Sequence, residues 1–166
     1  MTVLADYSAE EQTVLLRSLS AAAVAISAAS LGRKTETVQE GFAAAQYIIE
    51  VREPYLTWPL VGSVQYELER RAAADQPFPD FVAQATAPGA EQAALEMLRA
   101  AAAVLDAKAA PQEAAGYKQW LLDIAATTKN AGKEGGGWFG RGAVAVNDEE
   151  RSAYARIAQA LGVAAG

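Results

Sequence analysis

The chain has 166 residues, of which 52% are hydrophobic and 20% charged, so it can bury a sizeable core and does not have a disordered composition. Its 14 basic and 20 acidic residues give a formal net charge of −6, which argues against a nucleic-acid partner because a phosphate backbone needs a basic surface. It contains no cysteine and no histidine. Those absences exclude disulfides, Ser-His and Cys-His nucleophile pairs, Cys/His zinc sites and His-ligated haem.

The amino-terminal segment favours a cytoplasmic protein. "MTVLADYSAEEQ" is acidic where a secretory leader is basic. The longest uncharged stretch near it, residues 18–32, has fifteen residues and includes four serines, whereas a spanning helix needs about 20 mostly apolar residues. We therefore expect a cytoplasmic chain with no membrane span.

Two helices are predicted before Pro54. Ser8 and Glu11 form an S-x-x-E capping box at the start of the first. Thr35 or Thr37 can cap the second, which ends at Pro54 because the residue before a proline is pushed out of the helical region. Apolar residues recur at helical spacing on one face of each helix: Leu15, Leu19, Ala22 and Ile26 on the first, and Val38, Phe42, Ala45 and Ile49 on the second.

A third helix is predicted in "PYLTWPLVGSVQYELERR", with Thr57 as the N-cap and Pro59 in the first turn, where a missing N–H costs nothing. "QPFPDF" ends this helix and can begin a short fourth one. Pro88 and Gly89 form the clearest break in the helical pattern, and the fifth predicted helix follows them. The predicted inward residues are Val61, Val64 and Leu68 on the third helix and Leu95, Leu98, Ala102 and Leu105 on the fifth.

The last two predicted helices have clear boundary signals. Pro111 opens the sixth, and "NDEERSAYARIAQALG" forms the last, with Asn147 as its N-cap, acidic residues at the positive end of its dipole, and Gly162 after it. Their predicted inward residues are Tyr117, Leu121, Ile124, Ala125 and Thr128 on the sixth and Tyr154, Ile157, Ala158 and Leu161 on the last. Only "AVAV" (143–146) could form a short extended piece.

These patterns predict an all-α fold, a compact array of about six to seven helices in a single domain over 1–166. Two helix-turn-helix stretches of similar outline suggest pseudo-repeated halves, 8–86 and 88–162, and the sequence leaves a true internal repeat open.

The segment "KEGGGWFGRG" (133–142) contains a G-x-G-x-x-G pattern formed by Gly135, Gly137 and Gly140. A dinucleotide site needs this pattern between a strand and a helix, but here it follows a helix and precedes the next cap by seven residues. A P-loop would need a Gly-Lys-Ser/Thr ending, which is missing. The pattern therefore favours a connector over a phosphate cradle.

Carboxylates flank the glycine loop and raise the alternative of a divalent-cation site for Ca²⁺ or Mg²⁺. If the loop folds back, these side chains could meet, and carboxylate oxygens suit hard cations. Capping and dipole compensation explain the same residues without a metal, and this interpretation is favoured. The metal candidates are Glu134, Asp148, Glu149 and Glu150.

The loop also presents an aromatic pair flanked by basic residues. The pair can anchor the loop in the core, which is the favoured interpretation, or form an exposed tip that contacts a second copy of the chain or another protein. The candidate binding residues are Trp138, Phe139 and Arg141.

Two further groups have mainly structural interpretations. In "YELERR", Glu67 and Arg71 are spaced as an i,i+4 ion pair on a solvated helix face. Tyr55, Trp58 and Tyr66 lie near two prolines, where core packing under a bent chain is favoured over a ligand cage.

The C-terminal segment resembles the TerB-like family of helical proteins, known from bacterial tellurite-resistance clusters. Glu134-Gly135 corresponds to the family's acidic-glycine turn, and "GGWFGRGAVA" is an insertion. Leu31 stands where the first half of the family pattern has an acid, with Glu36 the only acid retained there. The residues that fit the remainder in order are Val146, Asn147, Asp148, Glu149, Glu150, Ile157, Ala158, Leu161 and Gly162. The resemblance implies an all-helical pseudo-repeat, an acidic metal-binding surface and a stress-linked role without known catalysis.

The sequence therefore predicts a non-catalytic helical interaction or scaffold protein, forming a homodimer or binding another protein. The alternative is a divalent-cation or small-ligand binder that uses the acidic glycine loop. A carboxylate-and-tyrosine enzyme is the least favoured hypothesis, and no organic cofactor is expected.

Overall fold

The computed structural model describes residues 1–29, 57–77, 88–134 and 148–164, with the backbone alone for 129–134 and 148–150. Within these ranges the regular elements are one 3₁₀ turn and five α-helices, with no strand. The all-α fold class is confirmed. The predicted second helix, the short fourth helix and "AVAV" lie outside the described residues, so the count of six to seven helices stays a prediction.

Where the structure describes both helices and the segment between them, the connection is short. α3 and α4 are separated by two residues, Ala109 and Ala110. In chain order the elements are the 3₁₀ turn Leu4–Asp6, α1 Ala9–Ala29, α2 Pro59–Ala73, α3 Ala90–Lys108, α4 Pro111–Glu134 and α5 Asp148–Leu161.

The observed helix boundaries agree with the predicted ones where the sequence contains a specific capping motif. The Ser8 amide donates to Glu11 Oε2 at 2.7 Å and the Glu11 amide to Ser8 Oγ at 3.3 Å, so the predicted capping box is confirmed. α4 begins at Pro111, as predicted. Gly89 before α3 and Gly162 after α5 have φ of +79° and +68°, a left-handed conformation that favours glycine.

The predicted cap of α2 is wrong. Trp58, not Thr57, is the N-cap residue, and it makes no side-chain hydrogen bond to the helix. Pro59 is the first helical residue, as predicted, and its missing N–H leaves one donor fewer to satisfy. The Trp58 side chain instead packs over Gly116 of α4, where an added Cβ would lie 2.3 Å from the indole nitrogen.

α1 is the central helix of the core. It packs most extensively on α3 and also on α4 and α5, and alanines on its buried faces allow close approach. The predicted inward residues of the described helices are buried, apart from Tyr154, which is half-buried. α1 belongs to the predicted half 8–86 and its partners to 88–162, so the described parts of both share one core; the internal repeat stays a prediction.

α1 is long and apolar enough, by length and composition, to cross a membrane. Of its apolar window, 56% is buried inside the protein. This feature is weak evidence for a span, because the core helix of a soluble protein passes the same test. The predicted absence of a span and the predicted cytoplasmic location both stay predictions.

Candidate functional site

The aromatic candidates of the glycine loop, Trp138, Phe139 and Arg141, lie outside the described residues. Both interpretations of the aromatic pair, the core anchor and the partner contact, stay predictions.

The four metal candidates lie at the ends of two packed helices. Glu134 is the last residue of α4 and Asp148 the first of α5, and their side chains are outside the description, as are those of Glu149 and Glu150. The last three candidates occupy the first turn of α5, where the helix dipole stabilises carboxylates. Among the described residues, no group of three or more acidic side chains could hold a metal ion. The cation site stays a prediction, and the dipole accounts for three of its four residues.

A buried polar cluster does form at the N-terminal corner, from Thr2, Tyr7 and Glu113. Glu113 is fully buried, and its Oε2 accepts hydrogen bonds from the Thr2 amide at 2.9 Å and the Thr2 hydroxyl at 3.0 Å. The Thr2 and Tyr7 hydroxyls lie 3.0 Å apart. The other carboxylate oxygen of Glu113, Oε1, is buried and has no hydrogen-bond partner among the residues that the structure describes.

The local sequence explains how this cluster is held. Glu113 is the third residue of α4, where a carboxylate is favoured by the positive end of the helix dipole. Asp6 Oδ2 accepts from the Val3 amide at 2.8 Å and closes the 3₁₀ turn. The Leu4 amide donates to Ser63 Oγ at 2.8 Å. The residues before α1 are thereby attached to both α2 and α4.

The electrostatics of the cluster keep its phenol protonated. Burial raises the pKa of Tyr7, and the negative charge of Glu113 raises it further, while Lys108 opposes the shift. The Lys108 ammonium lies 5.6 Å from the centre of the Tyr7 ring and is paired with Glu11 at 2.6 Å. At neutral pH Tyr7 is thus a neutral hydrogen-bonding group, and not a base that could remove a proton from a substrate.

A second feature of the same corner is an exposed apolar surface, defined here as the Tyr66 face and formed by Val3, Ser63 and Tyr66. Tyr66 is 69% exposed and Val3 39% exposed. The Leu4–Ser63 hydrogen bond sets Val3 beside α2, and Tyr66 follows Ser63 by one helical turn on the same side. The prediction that Tyr66 packs in the core is wrong; Trp58 is half-buried, and Tyr55 lies outside the described residues.

Opposite charges flank the Tyr66 face along α2. Asp6 lies at the end where the 3₁₀ turn meets Ser63. At the other end Glu67 pairs with Arg70 at 2.7 Å and with Arg71 at 2.7 Å, which confirms the predicted i,i+4 pair and adds an i,i+3 pair to it. Two guanidinium groups share the Glu67 carboxylate there, and Arg70 lies one helical turn after Tyr66 on the same side.

Comparison with known proteins identified no relative of this chain. No protein-family model matches the chain, and no curated protein or solved structure matches it significantly. The TerB-like resemblance therefore stays a prediction, and the function has to be argued from the geometry.

The polar corner was not predicted from the sequence. Its one local signal is Pro111 at the first and Glu113 at the third position of α4, a pairing that ordinary dipole compensation also produces. The partner, Thr2, lies 111 residues away along the chain. Only the packing of the first residues against α4 reveals the contact.

The ion pairs beside the Tyr66 face give a pH prediction. Hydrogen bonds from Arg70, followed by those from Arg71, lower the pKa of Glu67 from 4.5 to about 2. A lowered folded-state pKa stabilises the protein above the unfolded value, and this stabilisation is lost as pH falls from 4.5 to about 2. Because the pairs lie at the protein surface, where solvent screens them, we expect Glu67→Gln to cost only about 1 kcal/mol at neutral pH.

Urea unfolding of the wild type and of Glu67→Gln at a series of pH values checks this. The difference in the free energy of unfolding between the two proteins should shrink as the pH falls from 4.5 to about 2. A difference that stays constant down to about pH 2 would contradict the assignment of the pKa shift to Glu67.

Proposed function

We propose that this chain is a non-catalytic helical interaction protein that self-associates through the Tyr66 face. The observation that carries the proposal is the large exposure of Tyr66 on α2, with the exposed Val3 next to Leu4, whose amide bonds Ser63 of the same helix. Exposed aromatic residues within an apolar patch are typical of interaction sites. A stress-linked role, as the TerB-like resemblance implies, is part of this proposal.

A second copy of the chain is the occupant that the charges favour. Most soluble oligomers are two-fold symmetric dimers, in which the same patch meets itself. In an antiparallel contact of two α2 helices centred on Tyr66, the Asp6 end of one copy faces the Arg70 end of the other. Arg70 lies one helical turn beyond Tyr66, so this arrangement places Asp6 of each copy near Arg70 of the other, at both ends of the contact.

The described polar groups support a structural role more than catalysis. Tyr117 is fully buried and donates to the Leu15 carbonyl at 3.0 Å, and burial raises its pKa well above the ordinary value for tyrosine. Tyr7 is also protonated at neutral pH, as described above. The Tyr117 hydroxyl joins α4 to α1, and the Tyr7 hydroxyl lies 3.0 Å from the Thr2 hydroxyl within the amino-terminal segment.

We expect sedimentation velocity to show concentration-dependent dimerisation that Tyr66→Ser weakens. The small patch makes this a weak, reversible dimer, because contacts of limited area are generally transient. Loss of the aromatic ring removes the main apolar contribution of the face. Glu96→Gln on α3, which changes another exposed side chain, is the matched control and should dimerise like the wild type.

Circular dichroism of each variant establishes that it is folded. A monomer at every concentration, or a dimer unaffected by Tyr66→Ser, would contradict self-association through this face.

A further inference from the structure

Residues 2–7, called the strap below, supply part of the surface assigned above to self-association. We propose that docking of the strap against α2 and α4 controls this self-association, with Glu113 as the positioning residue that holds the strap in place. The inference rests on the proposed function, because it concerns the regulation of the same Tyr66 face.

The first step of the argument is that the contact surface is made from two separate parts of the chain. α2 supplies Ser63 and Tyr66, and the strap supplies Val3. The charges are divided in the same way, since Asp6 belongs to the strap and Arg70 to α2. The surface is therefore complete only while the strap lies on α2.

The second step is that the strap depends on its contacts with the helices. Its regular structure is a 3₁₀ turn of three residues, Leu4–Asp6, and so short a turn has too few hydrogen bonds to be stable alone. The Leu4 and Tyr7 side chains are buried, with exposed fractions of 5% and 3%. The Leu4 amide donates to Ser63 Oγ at 2.8 Å. Release of the strap would therefore also dissolve the turn that positions Asp6.

The third step is that Glu113 holds the strap from α4, a helix outside the Tyr66 face. Its Oε2 accepts hydrogen bonds from the Thr2 amide at 2.9 Å and from the Thr2 hydroxyl at 3.0 Å. The Thr2 hydroxyl also lies 3.0 Å from that of Tyr7, so this carboxylate helps to order both ends of the strap. Hydrogen bonds to a carboxylate are stronger than those between neutral groups, and burial of Glu113 strengthens them further.

These contacts couple the strap to the dimer. A second copy binds a chain whose strap is docked, so the apparent affinity falls with the docked fraction. The two-fold contact requires a docked strap in both copies, and a strap docked half of the time raises the dissociation constant about fourfold. Coupling of this kind is reciprocal, so dimerisation must in turn protect the strap from opening.

The first test changes the Thr2 hydroxyl. Thr2→Val keeps the shape of the side chain and removes its hydrogen bonds to Glu113 and Tyr7. We expect sedimentation velocity to give a dimer dissociation constant about fourfold higher than that of the wild type, and Thr2→Ser, which keeps the hydroxyl, to restore the wild-type value. Glu113→Gln should also weaken the dimer, because its amide carries no charge.

Thr13→Val on α1 is the matched control. It removes a hydroxyl that donates to the Ala9 carbonyl within the same helix, so it makes the same chemical change away from the strap. This variant should dimerise like the wild type. Circular dichroism establishes that each variant is folded.

The second test measures the reciprocal effect, which a purely structural role of Glu113 would not produce. Amide hydrogen exchange of the strap is followed at a low protein concentration and at one where the dimer predominates. In the wild type, exchange should be at least about twofold slower at the higher concentration. In Tyr66→Ser it should be the same at both concentrations.

The outcomes separate this inference from the proposed function. A wild-type dimer that Tyr66→Ser weakens, but that neither Thr2→Val nor Glu113→Gln affects, would overturn the inference and leave self-association standing. Strap exchange that is independent of concentration while the wild type dimerises would do the same. A wild type that is monomeric at every concentration would overturn both.

Discussion

Replacing Trp120 by alanine should destabilise the protein by about 3–5 kcal/mol, a large fraction of the roughly 5–15 kcal/mol available to a folded domain. Trp120 is fully buried on α4, and its ring meets that of Tyr117 edge-on, with centroids 5.4 Å apart. Truncation to alanine leaves a large apolar cavity in the helical core and removes the ring contact. Urea unfolding followed by circular dichroism measures the loss directly.

Phenylalanine at the same position is the matched control. The indole nitrogen of Trp120 is buried and has no hydrogen-bond partner in the described part of the chain, so the wild type carries the cost of an unsatisfied donor. Trp120→Phe removes that donor and keeps an aromatic ring against Tyr117. We therefore expect a cost below about 1.5 kcal/mol. A cost for Trp120→Phe as large as that for Trp120→Ala would contradict this expectation.

The second large effect concerns the glycine beneath Trp58. Alanine is ordinarily favoured over glycine inside a helix by about 0.8–1.0 kcal/mol. At Gly116, however, the added Cβ would lie within 2.3 to 2.8 Å of three atoms of the Trp58 indole, and the ring would have to move. We expect this overpacking to exceed the propensity gain, so that Gly116→Ala destabilises the protein by about 1–3 kcal/mol.

Two variants make this prediction specific. Gly62 of α2 has open space around its missing Cβ, so Gly62→Ala should stabilise the protein by up to about 1 kcal/mol. In a Trp58→Ala background the clash is absent, and Gly116→Ala should become neutral or stabilising. If Gly116→Ala stabilises the protein as much as Gly62→Ala does, Trp58 does not pack against Gly116 as described.

Local chemistry made much of the helical framework predictable. The capping box of α1 is a contact between residues three apart, so both partners are visible in one short segment. The buried faces of α1, α3 and α4 follow from apolar spacing that a helix brings to one side. Pro111 marks a helix start because its fixed φ suits the first turn, where its missing N–H costs nothing. Gly162 marks a helix end because glycine readily adopts the left-handed conformation found there.

The tertiary contacts were not predictable for an equally physical reason. The bond from Thr2 to Glu113 joins residues 111 positions apart, and nothing in either segment indicates the other. Trp58 was treated as part of an aromatic group with Tyr66, yet the first packs on Gly116 and the second is exposed. The residues that α2 buries are Leu60, Val61, Val64, Gln65 and Leu68, and Tyr66 is not among them.

Charge reversal at the two ends of the Tyr66 face tests the proposed self-association most directly. Asp6→Arg places like positive charges opposite each other at both ends of the antiparallel contact, and Arg70→Asp places like negative charges there. When the two variants are mixed, the arginine introduced at position 6 of one faces the aspartate introduced at position 70 of the other. The unchanged Arg70 and Asp6 of the two variants meet at the opposite end, so attraction is restored at both ends.

We predict by sedimentation velocity that either variant alone is monomeric and that the equimolar mixture forms a dimer. Variants that dimerise alone as the wild type does, or a mixture that stays monomeric, would contradict the account.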